Sequence, residues 1–91
     1  MEKIHVLLVE DELTLAMIIK DTLEEQEFII TTASDGEEGL RTFFAQKPDI
    51  VVADVMMPRM DGFEMVRRIR QTDKLTPVCL LYTSPSPRDT R

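Results

Sequence analysis

Two short apolar runs limit what this chain can fold into more than any other feature. Val6 to Val9 and Ile50 to Ala53 are apolar at every position. A strand with one wet face alternates apolar and polar residues; runs without alternation suit strands buried on both faces, as in a parallel sheet. Between them, Leu15, Ala16, Ile19 and Leu23 fall on one helical face, and Phe28 to Ala33 is β-branched enough for a strand. Ser34-Asp35-Gly36-Glu37 has capping-box spacing and opens a helix carrying Leu40, Phe43 and Phe44, finished by Pro48. Asp61 with Glu64 starts another helix, with Phe63, Val66, Ile69 and Arg70 at helical spacing. Thr76-Pro77 is the expected end of that helix, and Val78 to Tyr82 the expected last strand. The order β-α-β-α-β-α-β predicts an α/β fold: an open parallel sheet with helices on both faces and right-handed crossovers.

Composition narrows the function. The 91 residues fit one domain. Seventeen Asp and Glu against 11 Lys and Arg leave a net charge of −6, which argues against direct nucleic-acid binding by this segment. No apolar stretch approaches the roughly 20 residues of a membrane span. The N-terminus lacks a basic leader before an apolar run, so no secretion signal is expected. The single cysteine, Cys79, cannot form an internal disulfide, and a cytoplasmic location is expected.

Carboxylates follow both apolar runs: Glu10, Asp11 and Glu12 after the first, Asp54 after Ala53. Open parallel sheets bind ligands beyond the carboxyl ends of their strands, and in one common order, 2-1-3-4-5, the first and third strands are neighbours. Glu10, Asp11 and Asp54 then converge across a strand spacing of about 4.8 Å. Two carboxylates about 5 Å apart repel by roughly 3 kcal/mol at an effective dielectric of 20. Magnesium suits such a site, because it takes one or two carboxylates and accepts a phosphate oxygen. Asp54 can then serve as a nucleophile toward a phosphoryl group. Glu12 is read differently, as a helix-start residue placed by the dipole.

Val6-Leu7-Leu8-Val9-Glu10-Asp11-Glu12 and Pro48-Asp49-Ile50-Val51-Val52-Ala53-Asp54-Val55-Met56-Met57-Pro58-Arg59-Met60-Asp61-Gly62 resemble the two signatures of response-regulator receiver domains in two-component signalling. The likeness runs from about Lys3 to Val78. It implies the flavodoxin-like 2-1-3-4-5 fold, Asp54 as phosphoacceptor, and Mg held by Glu10, Asp11, Asp54 and the main-chain carbonyl of Met56. It also implies a site loop shaped by Pro58, Asp61 and Gly62, and a sensor histidine kinase or phosphotransfer protein as donor. By this reading the chain is not an enzyme. His5, inside the first strand, is expected to be a packed or edge-facing residue. Met56, Met57 and Met60 are read as core and loop packing rather than a partner surface.

The pattern departs from the family at its end. The family's last helix, fifth strand and final helix are missing, with the lysine that would contact the phosphoryl group. The hydroxyl position closing the fourth strand falls on Tyr82, and Thr83 comes one residue late, on the other face. Cys79 to Asp89 also resembles a forward-frame translation of a common transposase-based sequencing adapter. Residues 1–78 are therefore expected to be a partial receiver domain and 79–91 a non-native tail. An uncovered fourth strand would be an aggregation-prone edge. Two alternatives stand beside the phosphoacceptor reading. A metal-dependent phosphohydrolase with an aspartate nucleophile would commonly carry a second aspartate where Met56 stands. A degenerate, non-phosphorylated binding module needs no intact acidic site.

Overall fold

The computed structural model describes residues 3–57 and 59–82. Four strands, β1 (His5–Val9), β2 (Ile29–Ala33), β3 (Ile50–Asp54) and β4 (Val78–Leu81), alternate with three helices, α1 (Leu13–Glu25), α2 (Gly36–Gln46) and α3 (Gly62–Arg70). All strands are parallel, in the order β2-β1-β3-β4. This is the flavodoxin-like arrangement with the described residues ending in the fourth strand. The expected boundary at Val78 falls inside β4, whose Cys79, Leu80 and Leu81 pair with Val52, Ala53 and Asp54.

Side chains alternate across the sheet and sort into two cores. Leu7, Val9, Val51 and Ala53 pack with Phe43 of α2 and with Met65 and Ile69 of α3. On the other face Val6, Leu8 and Ile30 pack with Ala16, Ile19 and Leu23 of α1. Helices therefore cover both faces, as a parallel sheet requires.

The capping signals were one residue out in α2. Asp35, not Ser34, is the N-cap, accepting from the Glu38 N–H at 2.9 Å, and the Glu38 carboxylate reaches back to the Ser34 N–H and hydroxyl. Asp61 caps α3 as expected, accepting from the Glu64 N–H at 2.8 Å. That helix ends at Arg70, short of Thr76-Pro77. The intervening turn is tied by the Asp73 carboxylate, which accepts from the Leu75 N–H, the Thr76 N–H and the Thr76 hydroxyl. The buried stripe of α3 is Gly62, Met65 and Ile69, whereas Phe63 is exposed. A Cβ on Gly62 would lie 2.8 Å from the Asp54 carbonyl oxygen. This close approach sets the rotation of α3 and turns Phe63 outward.

Candidate functional site

The β1–β3 register pairs Val9 with Ala53, so the next residues along, Glu10 and Asp54, emerge side by side at the carboxyl ends of adjacent strands. Carboxylate oxygens of Glu10, Asp11 and Asp54 lie within 4.8 Å of one another. Glu10 and Asp54 are buried, at 4 % and 3 % exposure, and Asp11 is exposed. The cluster thus has a walled interior and one open side.

Local hydrogen bonds hold the carboxylates. Glu10 Oε2 accepts from the Glu12 N–H at 3.1 Å, and Asp54 Oδ1 accepts from the Met56 N–H at 3.1 Å. Among the described residues Glu10 Oε1 is buried without a hydrogen-bond partner, and a buried unpaired carboxylate oxygen is costly. Burial pushes the Glu10 carboxyl up to about 7, and the charges of Asp54 and Asp11 push the same way against the Glu12 N–H bond. The set is all oxygen, crowded, and carries one oxygen with nothing to bond. A hard divalent cation would satisfy it, and the donor chemistry fits magnesium.

Backbone approach fixes the loop around the cluster. The Gly62 N–H donates to the Val55 carbonyl at 3.1 Å, pinning the start of α3 to the end of β3. A Cβ on Gly36 would run into the Met60 carbonyl oxygen, so α2 abuts the same loop from the other side. Arg59 adopts φ 68°, a left-handed conformation disfavoured for a side-chain-bearing residue, and its guanidinium lies 3.9 Å from Asp35. In the sequence Gly36 stands only as part of a capping pattern; its role against Met60 comes from the packing of α2 on the loop, and its one signal is a glycine directly after the capping Asp35.

Gly62 stands against the Asp54 carbonyl, while Asp61 is turned to capping α3 and does not join the carboxylate cluster. Pro58 and Thr83 lie outside the described residues. Glu12 caps α1 through the Leu15 N–H at 2.8 Å. His5 is half-buried, with Nε2 2.7 Å from the Thr31 hydroxyl. The methionines divide: Met60 is buried and Met57 packs on the core, but Met56 is exposed, which corrects the expectation that all three are packing residues. Met56, Met57, Phe63 and Tyr82 form an apolar wall to a cleft of about 570 Å³ that also takes in Asp11. The Phe63 and Tyr82 rings meet edge to face, 6.2 Å apart. Among the described residues no helix is long and apolar enough to cross a membrane.

A doubly wound parallel sheet with a carboxylate cluster at the ends of β1 and β3 defines a narrow class of proteins. The chain matches the response regulator receiver domain family over residues 6–90 and belongs to it. That family is the receiving module of two-component signalling. The chain is 45 % identical over 75 residues to the transcriptional regulatory protein AfsQ1 of Streptomyces coelicolor, covering 82 % of this chain and 33 % of that protein. It is 38 % identical over 76 residues to the alkaline phosphatase synthesis transcriptional regulatory protein PhoP of Bacillus subtilis, covering 84 % and 32 %. It therefore spans about a third of the length of these relatives. Among solved structures, the chemotaxis response regulator CheY4 of Vibrio cholerae superposes with a TM-score of 0.87 at 34 % identity, covering 94 % of this chain and 73 % of that one. The response regulator TrrA of Thermotoga maritima, in complex with Mg(2+)-BeF, gives 0.86 at 34 % identity, covering 90 % and 71 %.

Proposed function

We propose that the chain is a phosphoacceptor module that takes a phosphoryl group onto Asp54 from a phosphohistidine of a sensor histidine kinase or phosphotransfer protein. The observation that carries the reading is the buried Glu10–Asp54 pair with Asp11 at its open side. An Asp54 carboxylate oxygen attacks phosphorus, the N–P bond to the imidazole breaks, and an aspartyl phosphate remains. The Met56 N–H orients the nucleophile through Oδ1. Glu10, Asp11, Asp54 and the Met56 main-chain carbonyl would hold Mg. When bound, Mg would neutralise the carboxylates and the charge on the transferring group. The complex of TrrA with Mg(2+)-BeF supports this assignment by analogy. Gly62, held against the Asp54 carbonyl, shapes the loop beside the nucleophile.

By this reading the protein acts as a signalling switch rather than an enzyme, works in the cytoplasm, and contacts neither nucleic acid nor membrane through this segment. The hydrolase alternative is disfavoured by Met56, which stands two residues after Asp54 and cannot act as an acid or base. The same proposal takes residues 79–91 as a non-native tail, of which Cys79 to Asp89 is adapter-encoded. Sequencing the source locus across the codons for Val78 and Cys79 tests it: a frame continuing into a helix, a lysine-bearing strand and a last helix is expected, and native codons for the present tail would contradict it.

Incubation with acetyl phosphate and Mg separates the functional readings. Stable labelling lost in Asp54→Ala supports the receiver. Rapid turnover of phosphoesters supports the hydrolase. Neither outcome, in a protein that circular dichroism shows to be folded, supports the binding module.

A further inference from the structure

At the end of the sheet away from Asp54, the last turn of α2 and the turn after α3 enclose a groove of about 600 Å³. Its residues include Pro48, just before β3, and Thr76, just before β4, so it lies at the amino ends of the strands. Its apolar surface is presented outward: Phe44 is 43 % exposed and Leu75 is 90 % exposed. Neither side chain is loosely held at its base. The Phe44 ring meets the buried Phe43 edge to face at 5.2 Å. Leu75 stands on a turn fastened by three hydrogen bonds to the Asp73 carboxylate, which those bonds hold down at about 2.

The charge at this groove is opposite to that of the chain as a whole. Lys47 and Lys74 both line it. Among the described residues neither is in an ion pair, whereas Lys20, Arg59, Arg67 and Arg68 each face a carboxylate. Asp73, the one acidic residue of the lining, spends its oxygens on the turn itself. A chain of net charge −6 repels acidic partners over most of its surface, so an acidic segment is accepted only where the local sign reverses.

We propose that this groove docks an acidic peptide segment of a partner protein, with one large apolar side chain inserted between Phe44 and Leu75 and flanking carboxylates on Lys47 and Lys74. The surface is separate from the phosphoacceptor site, and the inference does not depend on the function proposed for that site.

The test is amide NMR of the full chain titrated with a blocked peptide of one phenylalanine flanked on each side by glutamates. Shifts should concentrate at Phe44, Lys47, Lys74 and Leu75. Because exposed ion pairs contribute about 0.2–1 kcal/mol each, a peptide with lysines in place of the glutamates should bind roughly two- to thirtyfold more weakly. Lys47→Gln with Lys74→Gln should weaken the glutamate peptide to a similar degree and leave Asp54 labelling unchanged. The peptide variants leave the protein untouched, so a folding defect cannot produce their result. Equal binding of the lysine peptide, shifts elsewhere, or no shift at millimolar peptide would overturn the proposal. So would shifts at the groove that depend on protein concentration alone, which would assign it to a second copy of the chain.

Discussion

The two faces of the sheet are built from the same strands but are finished to different degrees. On the face covered by α2 and α3, Leu7, Val9, Val51, Ala53, Met65 and Ile69 are fully buried. On the face covered by α1, Val6 and Leu8 are buried, but Ile50 and Val52 are only half-buried and Cys79 is exposed. Strand composition does not explain this, since Val51 and Val52 are identical neighbours. The difference lies in cover: among the described residues, two helices span one face, and α1 alone, packed on β1 and β2, reaches the other. An unalternating apolar run therefore states that a strand expects two covers, and does not guarantee both.

The sharpest test of this contrast sets Met65 against the half-covered face. Met65→Ala removes a fully buried side chain and should cost about 2–5 kcal/mol, a large part of the stability of so small a domain. Urea or thermal melts would show the cooperative transition shifted far down or lost. Val51→Ala should cost about 2 kcal/mol and Val52→Ala about half of that, because the second methyl pair already meets solvent. Equal costs at 51 and 52 would break the comparison.

Glu10 gives the next effect. Its carboxyl is raised from 4.5 to about 7 in the fold. The folded state therefore binds this proton more tightly than the unfolded state. The associated stability is fully present below pH 4.5 and is lost as pH rises toward and through 7, with a slope of at most about 1.4 kcal/mol per pH unit. Melts without metal should show this decline. Glu10→Gln should flatten it, and millimolar Mg should offset it at neutral pH.

The smallest effect belongs to β4. Cys79 faces the open side, so Cys79→Ser should stay within about 0.5 kcal/mol of the parent. Leu80 on the closed face packs on the core, and Leu80→Ser should cost clearly more.

Much of this was legible in the chain. The apolar runs and the helix starts at Asp61 and Glu12 rest on local chemistry, and the convergence of Glu10, Asp11 and Asp54 follows once the strand order implied by the family resemblance makes β1 and β3 neighbours. The rotation of α3 was not. Phe63-Val66-Ile69 and Gly62-Met65-Ile69 both fit a helical period, and the choice between them is made by a long-range contact, the approach of Gly62 to the Asp54 carbonyl. The Asp73 turn was hidden for a related reason: Thr76-Pro77 marks where a helix cannot continue, while α3 already ends at Arg70 and the Asp73 carboxylate ties the turn between. The burial of Glu10 against the exposure of Asp11 also depends on packing that spacing alone does not reveal.

Asp54, proposed as the nucleophile of a cation-neutralised carboxylate site, can be tested directly. Borohydride reduction after exposure to acetyl phosphate converts an aspartyl phosphate to homoserine, and peptide mass mapping locates it. Homoserine is expected at position 54 alone, formed with Mg and suppressed by chelator. Homoserine at another aspartate, or none at 54 in folded, Mg-loaded protein, would contradict it.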